Sequence, residues 1–124
     1  MIYRMNPLVP LISLTLLSVC LFFGCGQGGR KMTSADAKAF DNAAPELKES
    51  WQKAQSAGAT NDYVVAILTL RSMLPRGLSK PQIDAVQNAI STYDGKMMKA
   101  VDRGDPAAQK ALEILRSPAA QMGR

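Results

Sequence analysis

From residue 34 onward, apolar side chains recur at steps of three and four positions, which is the spacing of one face of an α-helix. The most regular run consists of Ile83, Val86, Ile90, Tyr93, Met97 and Val101. An amphipathic helix buries such a face against its neighbours. The pattern therefore predicts an all-α fold, a small bundle of four to five short amphipathic helices within residues 34–117.

A second apolar run crosses a proline. Its members are Phe40, Ala44, Leu47, Trp51 and Ala54. In a continuous helix, the ring of Pro45 would clash with the carbonyl group four residues earlier. The sequence predicts a short helix from Ala35 to about Asn42 and a second helix that begins at Pro45; a single kinked helix is the alternative. Gly58 predicts the end of this second helix, near its C-cap.

Three short motifs predict where helices begin. Thr33 with Asp36, and Ser79 with Gln82, have the spacing of capping boxes, in which each residue of the pair bonds to the backbone of the other. Asp105 precedes a proline and predicts a further N-cap.

The segment YVVAILT, residues 63–69, is the one stretch with the composition of a strand. Its β-branched residues are compatible with a buried strand or a buried helix. No second strand-like run exists in the sequence, and a lone strand would leave its backbone groups unpaired. We therefore predict a helix that is apolar on nearly every side and lies at the centre of the bundle.

The first residues of the chain have a different character, because residues 5–29 carry no charge. One basic residue, Arg4, precedes an apolar run over residues 7–23. A membrane-spanning helix needs about 20 apolar residues, whereas a secretory leader has an apolar centre of roughly 7–15 residues. The run is intermediate in length, and the small residues after Phe23 favour a cleaved leader.

The end of this run, LFFGC at residues 21–25, resembles the lipobox of bacterial lipoproteins, in which a small residue precedes the cysteine that becomes the lipidated N-terminus. Gly24 matches the pattern, and Phe23 departs from it because a small side chain is usual there. The resemblance implies a signal peptide over 1–24 and a Cys25 that carries several acyl chains, palmitate among them. Gly26, in place of aspartate, implies sorting to the outer membrane of the bacterial cell envelope, facing the periplasm.

Other interpretations of the leader stay open. Cys20 ends the competing segment LSVC, although Val19 is larger than the lipobox position usually allows. A retained leader would make the protein a single-pass membrane-anchored helical domain, and cleavage without lipidation would secrete it. We assign 25–33 to the lipidated cysteine and a flexible, glycine-rich spacer, 34–117 to the bundle and 118–124 to a disordered tail.

The composition excludes several kinds of chemistry. The chain has no histidine, which excludes proton transfer by imidazole and metal sites that need it. The sequence contains no glycine-rich phosphate loop, no Ser-His-Asp set and no cluster of metal ligands, so we predict no enzyme activity, no cofactor and no metal. The net charge of +5, from 15 Lys and Arg against 10 Asp and Glu, is too mild to predict a nucleic-acid partner.

Lys96, Lys99 and Arg103 fall at helical spacing and predict a small basic ridge. The ridge can contact another envelope protein or phosphate groups of lipid, and simple solvation is the alternative. Together with the lipid anchor, it predicts a small envelope lipoprotein that acts as a helical protein-interaction or scaffolding module. Such a module predicts an exposed apolar patch on the order of several hundred Å².

Asp62 and Tyr63, followed by Ala66 and Ile67, resemble the start of the second helix of a tetratricopeptide repeat. Trp51 lies one position away from the aromatic residue that the repeat has. Such repeats need about three neighbours to bury a continuous core. The resemblance therefore implies one degenerate helix pair at most.

Overall fold

The computed structural model describes residues 32–122, which form six α-helices and no strand. The helices are α1 (Ser34–Lys38), α2 (Pro45–Ala59), α3 (Tyr63–Met73), α4 (Lys80–Asp102), α5 (Pro106–Arg116) and α6 (Pro118–Gln121). The predicted all-α bundle is confirmed. The predicted signal peptide 1–24, the candidate lipidation site Cys25 and most of the spacer lie outside the described residues.

Both predicted capping boxes are present and set the start of α1 and α4. At α1, the Asp36 N–H donates to Thr33 Oγ1 at 3.2 Å and the Thr33 N–H donates to Asp36 Oδ2 at 2.8 Å. At α4, the Gln82 N–H donates to Ser79 Oγ at 3.4 Å and the Ser79 N–H donates to Gln82 Oε1 at 3.0 Å. Each pair satisfies backbone N–H groups that the first helical turn leaves without partners.

Pro45 splits the first apolar run into two helices. It is the first residue of α2, where its fixed φ fits and its missing N–H costs no hydrogen bond. The preceding helix ends at Lys38, earlier than the predicted Asn42, and turns follow, with the Asp41 N–H donating to the Lys38 carbonyl at 3.1 Å. Phe40 is buried from within these turns, so its place in the apolar run reflects packing rather than helix.

The end of α2 lies where the sequence predicts it, near Gly58, since the helix ends at Ala59. The residue with a positive φ in this turn is Asn61, at 62°, and it closes a Schellman turn. The Asn61 N–H donates to the Gly58 carbonyl at 3.2 Å and the Asp62 N–H donates to the Ala57 carbonyl at 2.8 Å. Asn61 can adopt this left-handed conformation because its short polar side chain tolerates it. The turn that ends α2 therefore uses Asn61, and Gly58 has another role.

Gly58 instead lies inside α2 and is buried against α4. A Cβ atom at this position would overlap the ring of Tyr93. The absence of a side chain lets the aromatic ring lie directly on the backbone of α2. The Tyr93 hydroxyl reaches Gln55 Oε1 at 3.4 Å, which fixes the ring along the same helix.

The central position predicted for α3 is confirmed. This helix packs against α2, α4 and α5, and four of its side chains have no exposed surface: Ala66, Ile67, Leu70 and Met73. The neighbouring helices contribute many buried alanines, which allow close approach of their backbones: Ala54, Ala85, Ala89, Ala100, Ala108 and Ala111. The core is continuous across all the long helices.

One buried carboxylate ties α1 to α4. Asp36 is only 6% exposed, and its two oxygens accept hydrogen bonds from Asn88 Nδ2 at 3.3 and 3.2 Å. The Thr33 N–H lowers the pKa of the Asp36 carboxyl below its ordinary value of 3.8, burial opposes that shift, and the Asn88 amide adds to it. The charged form is therefore the one that the fold stabilises.

The short helix α6 lies in the segment 118–124 that the sequence assigns to a tail. Ser117 is its N-cap, since Ser117 Oγ accepts from the Ala120 N–H at 3.4 Å, and Pro118 is its first residue. The same serine–proline pair that ends α5 thus begins one more helical turn. Residues 123–124 are outside the part of the chain that is described.

Gly58→Ala should destabilise the protein, although alanine favours a helix over glycine by about 1 kcal/mol. The added methyl group must displace the Tyr93 ring, and overpacking of this kind costs about 1–3 kcal/mol. Urea unfolding followed by circular dichroism measures the change in the free energy of unfolding. In a Tyr93→Leu background the same substitution should be neutral or stabilising; an equal loss in both backgrounds would show that the ring is not the cause.

Asp36→Asn should lower the free energy of unfolding by about 1–2 kcal/mol at pH 7, because it removes a charged cap and a charge-assisted hydrogen bond. The wild-type carboxylate contributes fully above pH 3.8 and loses its contribution as the pH falls below that value. The difference between the two proteins should therefore shrink below about pH 4. Asp41→Asn, at an exposed position, is the matched control and should change stability by less than about 0.5 kcal/mol. A difference that stays constant from pH 7 to pH 3 would contradict the role of the charge.

Candidate functional site

The structure brings the three residues of the predicted basic ridge to one pocket. Lys96 and Lys99 lie in α4, and Arg103 is its C-cap. All three side chains are exposed. They line a shallow cavity of about 260 Å³, the basic pocket, together with Asn61, Tyr63, Ala100 and Asp105. The turn between α2 and α3 therefore completes a site that α4 begins.

Two helix C-caps form the walls of the basic pocket. On one side is the Schellman turn of α2, which includes Asn61. On the other side α4 ends in a second such turn, with Gly104 at φ 83° and hydrogen bonds from the Gly104 N–H to the Val101 carbonyl at 2.8 Å and from the Asp105 N–H to the Ala100 carbonyl at 3.0 Å. Because these bonds satisfy terminal carbonyl groups, both walls have a defined backbone.

Hydrogen bonds orient the polar groups of the pocket. The Tyr63 hydroxyl donates to Asn61 Oδ1 at 3.3 Å, which leaves the Asn61 Nδ2 donor without a partner in residues 32–122. Asp105 Oδ1 accepts from the Ala107 N–H at 2.9 Å as the N-cap of α5. The only carboxylate in the pocket is thus committed to a helix terminus.

The three cations have no carboxylate partner within the described region, where the one ion pair joins Lys80 Nζ to Asp84 Oδ1 at 2.7 Å. Lys96 Nζ lies 5.8 Å from the centroid of the Tyr93 ring, in a cation–π contact. Burial raises the pKa of Tyr93, so the ring stays neutral at physiological pH and does not compensate the lysine charge.

The C-terminus of α4 offsets part of the positive charge of these three side chains. A helix C-terminus carries the equivalent of about half a negative charge, which favours cations in its last turn. Lys99 and Arg103 occupy that turn. Three full positive charges exceed the partial charge of the helix end and the single carboxylate of Asp105, so the pocket keeps a positive surplus.

Two larger cavities lie elsewhere and were not predicted. One, of about 510 Å³, lies beside α1 and α2 over Phe40 and Trp51, whose rings stack with centroids 4.7 Å apart and an interplanar angle of 24°. The other, of about 500 Å³, is lined by Arg71, Leu74, Pro75 and Ile90. Both cavities are lined partly by residues of the apolar runs. Sequence periodicity assigns these residues to the core, but it does not show whether they line a surface groove or a closed interior.

Few large hydrophobic side chains are strongly exposed on the described surface. Those that are exposed there are Ile114, at 39%, and Met122, at 80%. Within residues 32–122, no group of three potential metal ligands is close enough to hold an ion. In the same region, no helix combines the length and the apolar character needed to cross a bilayer.

Sequence periodicity identified the ridge and missed its partners in the pocket. Asn61 and Tyr63 are remote from Lys96 in sequence and reach it only through the packing of α3 against α4. Asn61 was the one sequence signal for the turn that forms this wall of the pocket, since asparagine at a helix end favours a positive φ and a tight turn.

Comparison with known proteins found no matching family model, no matching curated protein and no matching solved structure.

Proposed function

We propose that the protein is a small lipid-anchored protein of the bacterial cell envelope and that its helical domain is a binding module for another envelope protein. The observation that supports the proposed lipid anchor is the LFFGC segment at the end of a charge-free apolar run. The observation that supports binding is the basic pocket, which Lys96, Lys99 and Arg103 line without ion-pair partners among the described residues.

The distance between the proposed anchor and the folded domain is short. Seven residues separate Cys25 from Thr33, which caps α1. Eight peptide units lead from Cys25 to Thr33, and a fully extended chain spans at most about 3.6 Å per residue, so Thr33 lies within about 29 Å of the acylated cysteine. Acyl chains gain about 0.8 kcal/mol per buried methylene, and more than one chain makes the attachment stable. The proposed module therefore works at the membrane surface, and Gly26 favours the outer membrane, facing the periplasm.

The small number of strongly exposed hydrophobic side chains on the described surface changes the form of the proposed interaction. A partner that bound by hydrophobic burial would need a wide exposed apolar surface. Here the partner contact is proposed to be polar and charged, at the basic pocket. Contacts of this kind depend on complementary charge and weaken as ionic strength rises.

The competing function is a single-pass anchored domain with a retained leader, which the apolar run 7–23 allows because its length is intermediate between those of a secretory leader and a membrane-spanning helix. Both alternatives place the helical domain at a membrane. They differ in the chemistry of the N-terminus, since only the first predicts a chain that begins at Cys25 and carries acyl groups.

Mass spectrometry of the protein purified from bacterial membranes should show a chain that starts at Cys25 with added acyl mass. Cys25→Ser should remove that mass and leave either unprocessed precursor or protein released from the membrane fraction. Cys20→Ser is the matched control and should be processed as wild type, because residue 20 is removed with the leader. An intact chain beginning at Met1 in membranes that contain the wild-type protein would contradict the proposed lipid anchor.

A further inference from the structure

We infer that the basic pocket binds an acidic segment of the partner protein, in which carboxylates occur within about four consecutive residues. This inference rests on the proposed function, because it names the chemistry of the partner at the same site. It is carried by the spacing of the three cations, by the unpaired donor of Asn61 and by the mixed charge around the pocket.

The length of the ridge determines the length of the segment. Lys96 and Arg103 are seven residues apart in α4, and a helix rises 1.5 Å per residue, so their backbones are about 10 Å apart. A peptide in the polyproline-II conformation has three residues per turn and rises about 3.1 Å per residue, so its first and fourth side chains lie on the same side, about 9 Å apart. Four consecutive residues in this conformation therefore match the ridge from end to end.

The three cations start from backbone positions that are spread over about 10 Å of α4, from Lys96 to Arg103. Lys96 is held at one end by its contact with the Tyr93 ring, and Arg103 stands at the helix terminus. A single phosphate group needs donors that converge on a few oxygens. Separate carboxylates, each facing its own cation, fit the spread arrangement better.

The neutral groups of the pocket also suit a peptide. Asn61 Nδ2 is a hydrogen-bond donor whose companion oxygen is already used by Tyr63. Peptide backbones offer a carbonyl acceptor at every residue. An acidic peptide can therefore satisfy the amide of Asn61 with its main chain while its side chains face Lys99 and Arg103.

The surroundings of the pocket disfavour a flat anionic surface as the ligand. Asp105 lines the pocket itself, and the neighbours Asp62 and Asp102 are exposed. A plane of lipid phosphates would approach these carboxylates as well as the cations, and like charges repel. A narrow segment can place its carboxylates on the ridge and avoid the acidic neighbours.

The test uses the purified full-length mature protein in non-ionic detergent and a fluorescent peptide with four consecutive glutamates between glycines. Fluorescence anisotropy at low salt should show saturable binding, and the same peptide with glutamines should not bind. The variant Lys96→Gln, Lys99→Gln, Arg103→Gln should bind about tenfold more weakly, because it loses three exposed ion pairs that each contribute little, and a tenfold change corresponds to about 1.4 kcal/mol in total.

The matched control carries the same change of charge elsewhere on the described surface: Lys53→Gln, Lys110→Gln, Arg116→Gln. It should keep the wild-type affinity within about twofold, and circular dichroism should show both triple variants folded. Equal weakening in the two variants would mean that only net charge matters and would overturn the inference. No binding by the wild-type protein would also overturn it.

Two further arms identify other ligands. Millimolar inorganic phosphate, compared with chloride at equal ionic strength, should displace the peptide no better than chloride does; selective displacement would indicate a phosphate site instead. Vesicles of anionic phospholipid should bind the wild type and the ridge variant equally through the acyl chains; a loss specific to the ridge variant would indicate lipid headgroups. If the protein carries an acylated Cys25 but does not bind the peptide, this inference is refuted and the anchor is not. If Cys25 is unmodified, the anchor is refuted and this inference is not.

Discussion

The fold depends on the burial of α3. This helix is apolar on nearly every side, so one neighbour cannot cover it, and α2, α4 and α5 all pack against it. Burial of an aliphatic side chain contributes about 1.5–3 kcal/mol, and Ile67, Leu70 and Met73 have no exposed surface. The other helices are amphipathic, and their arrangement follows from the need to place their apolar faces on this one element.

Tyr93 links α4 to α2 at one point. Its ring lies on the backbone of Gly58 because that residue has no side chain, and Lys96 Nζ lies over the same ring. The same tyrosine therefore connects the packing of the core with the charged surface. The C-cap turns of α2 and α4 form the walls of the basic pocket.

Local sequence signals predicted the starts of α1, α4 and α5, because capping by Thr33, Ser79 and Asp105 involves only neighbouring residues. Gly58 marked the end of α2, but its contact was not predictable, since glycine has two uses, a left-handed turn or a close contact, and only the tertiary partner Tyr93 distinguishes them. The ridge was predictable from helical spacing for the same local reason. The pocket was not, because its second wall comes from a turn that the fold brings from elsewhere in the chain.

A charged pocket on a membrane-anchored module can act with modest affinity. Exposed ion pairs contribute only about 0.2–1 kcal/mol each, so a contact built on Lys96, Lys99 and Arg103 is weak when both proteins diffuse freely. Attachment through Cys25, as proposed, keeps the module near partners on the same membrane and raises its effective concentration toward them. The anchor then supplies proximity, and the pocket needs only to distinguish an acidic segment from its neutral neighbours.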